Sequence, residues 1–286
     1  MSIPVLTQAG ELLARYEVLI SDVWGVVHDG LLALDPACAA LTAYRAQGGA
    51  VVLLSNAPGP SEQVGRAIDG KRVPRSAWDR LVTSGDVTRS LIAETHLRKA
   101  YHIGWASDRS IFAGFDVEVV GEEEAEFVVA TELNDYRTEQ PEQYRPLLER
   151  FAARGLPFIC GNPDLVVHVG HDLLPCAGAL ALIYEELGGQ VAWAGKPYRP
   201  AYEMALAAAC EVRGGRDVDP AKVLVIGDAV RTDLAGARLM GFDSLFIAGG
   251  IHRDETIRDG VVDPAGLARV LADHRPLPLA AMAALG

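Results

Sequence analysis

Short apolar runs alternate with amphipathic helical stretches along nearly the whole chain, and this alternation restricts the fold more than any other feature. Three of the runs end in polar residues, at Asp22, at Ser55-Asn56 and at Asp228, and a helical pattern follows each of them. Strands that alternate with helices are typical of an α/β protein with a largely parallel sheet. We therefore expect a Rossmann-like core of three layers, with the sheet in the middle.

A long insert lies between the second and third of these strands, and it has its own alternation of apolar runs and helical stretches. This pattern predicts a second, smaller α/β domain at residues 83–190, inserted into a core formed by residues 1–82 and 191–286. A domain inserted between the two halves of another can act as a lid over the ligand crevice, and we therefore describe it as a cap domain.

The composition excludes several classes of protein. The formal charge of −12 at pH 7 makes nucleic acid and anionic membrane surfaces unfavourable partners. No apolar run approaches the roughly 18 residues of a membrane-spanning helix, and the first residues lack the order of a signal peptide. The cysteines show no paired CxxC spacing, which argues against zinc and disulfides. We expect a cytoplasmic protein with reduced cysteines at Cys38, Cys160, Cys176 and Cys210.

The polar residues at the strand ends are the candidate functional residues. In open parallel sheets the carboxyl ends of the strands line the ligand crevice, so residues far apart in sequence should meet there. A phosphoryl-transfer site needs a nucleophile, donors to the phosphate, a cation and acids that hold Mg²⁺. Asp22 and Asp228 offer hard oxygen ligands for Mg²⁺. The Ser55 hydroxyl and the Asn56 backbone N–H can contact phosphate oxygens, and Lys196 can bridge the nucleophile and the phosphate.

The order of these motifs resembles that of the haloacid dehalogenase-like hydrolase superfamily. Asp22 and Ser55-Asn56 end the first two strands, Lys196 stands in AGKPYRP, and Asp228 opens the acidic stretch of GDAVRTD. The position of the insert, with phrases such as GNPDLVVH and CAGAL, is similar to the C2-capped class IIA branch. That branch contains enzymes of the nucleotide-monophosphatase and 4-nitrophenylphosphatase type. The resemblance covers most of the chain.

The resemblance implies a role for each matching residue. Asp22 matches the nucleophile that forms an aspartyl-phosphate, and Lys196 matches the lysine of the third motif. Asp228 matches a Mg²⁺ ligand, and Asp233 matches a carboxylate that supports the waters of the metal. The remaining protein ligand of the family is a backbone carbonyl two residues after the nucleophile, here that of Trp24. A carbonyl is present whatever the side chain, so the resemblance implies Mg²⁺ binding in this chain too.

The side chain of Trp24 departs from the family pattern. In the phosphatases that this chain resembles, an aspartate occupies this position and acts as the general acid and base. An indole has one N–H donor and no acceptor lone pair, so it can do neither. Losing a positioned acid or base typically costs about 10²–10⁴-fold in rate. We therefore expect a phosphatase that is slow on alkyl esters, or one in which His28, Asp29, His168 or His171 replaces the missing group.

Three functions remain open from the sequence. The first is a Mg²⁺-dependent hydrolase of a small phosphomonoester, such as a sugar phosphate or a nucleotide. The second is a phosphate- or metabolite-binding protein whose catalysis has decayed. The third is a metal-independent dehalogenase, which the acids at Asp228 and Asp233 disfavour. Asn162, with Asp164 and the CAGAL segment, is the expected substrate contact in the cap. A homodimer is compatible with the class IIA branch.

Overall fold

The structure, a computed structural model, describes residues 3–169 and 172–286. It divides into two units, which we name the core unit and the insert unit. The core unit contains the residues up to Ser55, Gly65–Val82 and Lys196–Gly286, and the insert unit contains Asn56–Val64 and Thr83–Gly195. The domain boundaries at residues 83 and 190 stay predictions.

The described residues form strands and helices in an alternating order. The strands are β1 (Val18–Ser21), β2 (Ala50–Ser55), β3 (Arg80–Thr83), β4 (Lys99–Ile103), β5 (Glu118–Val119), β6 (Phe127–Ala130), β7 (Phe158–Cys160), β8 (Val166–Val169), β9 (Asp172–Pro175), β10 (Val191–Trp193), β11 (Val223–Gly227), β12 (Asp243–Ile247), β13 (Ile257–Arg258), β14 (Val261–Val262) and β15 (Ala280–Met282). The helices are α1 (Gly10–Leu13), α2 (Asp35–Ala46), α3 (Ser61–Gly70), α4 (Ser84–Thr95), α5 (Arg145–Ala153), α6 (Ala177–Glu186), α7 (Arg199–Val212), α8 (Ala235–Met240), α9 (Arg253–Thr256) and α10 (Pro264–Val270).

The core unit is built on a sheet with the strand order β15-β12-β11-β1-β2-β3. Strand β1 pairs in parallel with both β2 and β11, with Ser21 opposite Leu53 on one side and Ile226 on the other. All residues of β1 and β11 are buried. Unbroken apolar runs of this kind are typical of parallel strands with both faces covered, so the predicted α/β, Rossmann-like fold is confirmed.

The insert unit has its own parallel sheet, in the order β10-β7-β6-β4-β5. Strand β6 pairs with β4 and β7, and Val128, Val129 and Ala130 face residues of both neighbours. The hydrophobic core on this sheet includes Phe151 of α5 and Tyr184 of α6, both fully buried. The insert unit therefore has the predicted second α/β arrangement, a parallel sheet packed against helices.

A few element ends are not evident from the sequence pattern. Leu34 is the N-cap of α2, and Asp35 is the first helical residue beside Pro36. The helical pattern predicted after Asp228 begins as a π-helical turn at Val230–Leu234 and becomes α-helical only in α8. The Pro- and Ala-rich segment near the end of the chain contributes β15 at the edge of the core sheet.

Within residues 3–169 and 172–286, the helices are too short or too polar for any of them to cross a membrane.

Candidate active site

Asp22 follows β1 directly, at the carboxyl end of the central pair of strands. Its backbone N–H donates a 2.8 Å hydrogen bond to the carbonyl of Ile226 in β11, which continues the sheet pairing by one residue. Its side chain is about nine-tenths buried. A parallel ladder on both sides of β1 therefore fixes the backbone that carries this carboxylate.

Lys196 lies within hydrogen-bond distance of two carboxylates. Its Nζ donates to Oδ1 of Asp22 at 2.5 Å and to Oδ1 of Asp233 at 2.8 Å, and its side chain is buried. Burial lowers the pKa of the Lys196 ammonium, but the charges of Asp22 and Asp233 outweigh burial and raise this pKa above its ordinary value. Lys196 is therefore a positive charge fixed beside Asp22.

Asp228 follows β11, the strand next to β1. Its Oδ2 accepts a 2.7 Å hydrogen bond from the backbone N–H of Ile251. A methyl group added to Gly25 or to Gly250 would lie 2.1 Å or 2.0 Å from the same oxygen. Glycine at both positions therefore lets two loops close around the carboxylate. Burial, and then the charges of Asp22 and Asp233, raise the pKa of Asp228 well above its ordinary value.

Asp233 lies in the π-helical turn that follows Asp228. Its Oδ2 accepts a 3.1 Å hydrogen bond from the backbone N–H of Ala229, while its Oδ1 bonds to Lys196. A Cβ on Gly227 would lie 2.2 Å from its side chain, so the turn packs tightly against the end of β11. Burial and the neighbouring charge of Asp22 raise the pKa of Asp233. The wide turn thus directs this carboxylate toward the strand ends.

Three carboxylates meet at this edge of the core sheet. Oxygen atoms of Asp22, Asp228 and Asp233 lie within 4.8 Å of one another. With one lysine among three acids, the cluster carries an excess of negative charge when all its groups are ionised. Oxygen-only donors with surplus negative charge suit a hard divalent cation. The residues present therefore fit a metal site of this kind.

Trp24 lies two residues after Asp22, in a loop with a defined conformation. The loop is closed by hydrogen bonds from the N–H groups of Gly25 and His28 to the carbonyls of His28 and Val23. The rings of Trp24 and His28 meet edge-on, with centroids 5.6 Å apart and planes inclined at 61°. The indole nevertheless remains 42% exposed. The identity of this residue therefore changes the surface of the loop that follows Asp22.

The candidates for a replacement acid are already engaged in holding this loop. Nδ1 of His28 accepts a 2.9 Å hydrogen bond from the N–H of Gly30, which places the ring proton on Nε2. Burial lowers the pKa of His28 to about 4, so the ring is neutral near pH 7. Oδ1 of Asp29 accepts hydrogen bonds from two backbone N–H groups, those of Leu31 and Leu32. The His168 side chain and His171 lie outside the described residues.

The Ser55-Asn56 motif falls at the division between the two units. Ser55 is the last residue of β2, the strand beside β1. Asn56 belongs to the insert unit, where its Nδ2 donates a 3.0 Å hydrogen bond to Oδ1 of Asp164 and its Oδ1 accepts from the Ser84 hydroxyl at 3.4 Å. The Asn56 amide therefore has structural partners, and the phosphate contacts of this motif stay predictions.

Asn162 is buried in the insert unit and belongs to a polar cluster that the sequence reading missed. Its Nδ2 donates a 2.6 Å hydrogen bond to Oε1 of Glu132, and its Oδ1 accepts from the backbone N–H of Asp164. Burial raises the pKa of Glu132 to about 8. Glu132 lies two residues after the end of β6, and an acid shortly after an apolar strand was the signal that could have found it. A substrate contact by Asn162 stays a prediction.

Two family models match this chain. The model described as haloacid dehalogenase-like hydrolase matches residues 19–118, which include Asp22 and the Ser55-Asn56 motif. The model described as HAD-hydrolase-like matches residues 193–274, which include Lys196 and both acids of the fourth motif. Both models therefore cover the segments that supply the carboxylate cluster.

Similar proteins include one solved structure with substantial sequence identity. A hydrolase of the haloacid dehalogenase-like family from Brucella suis 1330 is 46% identical, with a TM-score of 0.87, and the match covers 99% of this chain and 100% of that one. The 5'-nucleotidase YutF of Bacillus subtilis (strain 168) is 23% identical over 88% of this chain and 94% of its own length. An acid sugar phosphatase of Staphylococcus epidermidis is 24% identical over 65% of this chain and 68% of its own.

Proposed function

This chain belongs to the haloacid dehalogenase-like hydrolase family and is a phosphatase of that family, and we propose that it hydrolyses a small phosphomonoester with Mg²⁺ as its cofactor. The observation that carries the proposal is the buried contact of Lys196 with Asp22 and Asp233, beside Asp228. Relatives named as a nucleotidase and a sugar phosphatase support a nucleotide or a sugar phosphate as the substrate.

Asp22 is the nucleophile in this proposal. One of its carboxylate oxygens attacks phosphorus, the bond from phosphorus to the leaving oxygen breaks, and that oxygen departs with the bonding electron pair. Water then attacks the phosphorus of the aspartyl-phosphate, which releases inorganic phosphate and the free carboxylate, while the proton of the water passes to solvent. Lys196 holds the carboxylate in place and offsets the charge of the incoming phosphate.

The metal would be held by oxygen atoms of the core unit. The carboxylates of Asp22 and Asp228 and the backbone carbonyl of Trp24 are the proposed ligands, with Asp233 supporting bound water. When bound, Mg²⁺ would supply positive charge against the phosphate oxygens and so lower the repulsion between the phosphate and the nucleophile. The oxygen donors and the tight closure of Gly25 and Gly250 around Asp228 support this assignment.

Trp24 sets which esters are hydrolysed at a useful rate. The leaving oxygen receives no proton from an indole, and His28 and Asp29 already bond to backbone N–H groups of their own loop. Esters of weakly basic alcohols do not need that proton, whereas alkyl esters do. We therefore expect 4-nitrophenyl phosphate to be hydrolysed about 10²–10⁴-fold faster than an alkyl phosphate, the range of a missing general acid.

The test is the release of 4-nitrophenol and phosphate with and without Mg²⁺, for the wild type and for Asp22→Asn. We expect Mg²⁺-dependent turnover in the wild type and a loss of more than about a thousandfold in Asp22→Asn, because an amide oxygen is a poor nucleophile. Asp69→Asn, which changes an exposed aspartate of α3, is the matched control and should retain wild-type activity.

Three outcomes would contradict the proposal, each in its own way. Tight binding of phosphorylated metabolites with no turnover over hours would identify a binding protein. Release of chloride from a 2-haloacid without Mg²⁺ would identify a dehalogenase. Full activity of Asp22→Asn would remove Asp22 from the role of nucleophile. Equal rates on alkyl and aryl esters would leave the phosphatase in place but refute the account of Trp24.

A further inference from the structure

The exposed indole of Trp24 takes no direct part in the proposed attack on phosphorus. Large aromatic side chains contribute most when they are buried, and an exposed one beside a nucleophile is therefore informative. Trp24 is 42% exposed, and Leu31 and Leu32 of the same loop are 80% and 54% exposed. The loop after Asp22 thus presents three exposed apolar side chains.

The indole is held in place by its own loop. A methyl group on Gly30 would lie 2.7 Å from Cζ2 of Trp24, so the backbone at Gly30 packs directly against the benzo ring. Gly30 has a φ of +95°, a conformation that favours glycine, and its N–H bonds to Nδ1 of His28. The edge of the His28 ring in turn contacts the indole. A side chain restrained on these sides loses little freedom when a ligand packs against its exposed surface.

We propose that Trp24 is the specificity residue of this phosphatase, and that its indole packs against a planar, aryl-type leaving group of the substrate. The inference rests on the proposed function, and it names an aryl phosphate as the substrate class in place of a nucleotide or a sugar phosphate, which are not aryl esters. Two requirements converge on the same chemistry. The position next to Asp22 provides no proton for the leaving oxygen, and it does provide an aromatic surface. An aryl phosphate meets both requirements, because a phenolate departs unprotonated and its ring can stack on indole.

The two requirements can be separated with a pair of substrates. Acetyl phosphate and 4-nitrophenyl phosphate both have leaving groups that depart with the electron pair and need no proton, but only the second has an aromatic ring. The ratio of their kcat/KM values therefore reports on the aromatic contact and is insensitive to the missing acid. Measuring this ratio in Trp24→Leu and Trp24→Phe isolates the contribution of the ring.

We expect Trp24→Leu to lower the ratio of 4-nitrophenyl phosphate to acetyl phosphate about two- to tenfold, through a higher KM for the aryl ester. Trp24→Phe should recover most of the ratio, because it restores an aromatic face. The matched control is Trp105→Leu, which removes an equally exposed indole, stacked on Tyr136 in the insert unit, and should leave the ratio unchanged.

The outcomes for the inference and for the proposed function are distinguishable. Turnover of both substrates with an unchanged ratio in Trp24→Leu would refute the inference and leave the phosphatase assignment intact. An equal fall of the ratio in Trp105→Leu would also refute it, because the effect would not belong to Trp24. Failure of the wild type to hydrolyse either substrate with Mg²⁺ would refute the proposed function, and the inference with it.

Discussion

Replacing Glu132 by glutamine should change the dependence of stability on pH. Glu132 follows β6 in the insert unit, and its Oε1 accepts the 2.6 Å hydrogen bond from Asn162. Its Oε2 is buried. Burial is the main cause that raises its pKa from 4.5 to about 8. The nearby acids Asp108 and Asp164 act in the same direction.

The sign follows from comparing the folded and unfolded chains. Between pH 4.5 and pH 8 the unfolded chain has lost this proton and the folded chain has kept it, so a rise in pH favours unfolding. From pH 5 to pH 8 this single group should lower the free energy of unfolding by about 3 to 4 kcal/mol. Glutamine keeps an oxygen that can accept from Asn162 and cannot ionise. Glu132→Gln should therefore remove most of this decline.

The assay is denaturation of the full chain by urea at pH 5, 6, 7 and 8, for the wild type and for Glu132→Gln. Tryptophan fluorescence follows the unfolding, and two of the four tryptophans, Trp105 and Trp193, lie in the insert unit with Glu132. The control is Glu149→Gln, an exposed glutamate of α5. The variant should gain stability relative to the wild type as the pH rises. A difference between variant and wild type that is the same at pH 5 and at pH 8 would refute the reasoning.

Two further predictions concern the core unit. Lys196→Met leaves the buried carboxylates of Asp22 and Asp233 without their cation, and it should lower the free energy of unfolding in EDTA by about 3–5 kcal/mol. A loss below about 1 kcal/mol in urea denaturation would contradict this, and added Mg²⁺ should restore part of the loss. Trp24→Asp supplies the missing acid, so it should raise kcat on an alkyl phosphate by about 10²–10⁴-fold. Alkyl activity that does not rise in phosphate-release assays would show that position 24 does not serve the leaving group.

The core strands could be predicted from the sequence because they are almost entirely apolar. The residues of β1, β2 and β11 are almost all apolar and are buried, so periodicity and flanking polar residues were sufficient to locate them. β15 was missed because Ala280–Met282 has no β-branched residue and lies in a Pro-rich tail. Its strand conformation comes from pairing with β12, a long-range contact that local pattern cannot show.

Polar residues at the ends of parallel strands also indicated which acids lie close together. The hydrogen-bond partners of the two asparagines could be identified only from the structure. Asp22 and Asp228 were expected together because they follow strands of one parallel sheet, and the structure places them within one carboxylate cluster. The partners of Asn56 and Asn162 are Asp164 and Glu132, and no spacing rule connects these residues. The same argument, applied to the sheet of the insert unit, would have identified Glu132 as a candidate site residue.

Position 24 contributes to the site through two chemically independent groups. Its backbone carbonyl is the proposed metal ligand, and its geometry depends on the hydrogen bonds that close the loop at Gly25 and His28. Its side chain is partly exposed, and we propose that it determines which leaving groups can depart. A substitution here can therefore alter the range of esters without disturbing the carboxylates, whose positions depend on β1, β11 and Lys196. We therefore expect substitutions at position 24 to change the range of esters hydrolysed more than they change metal binding.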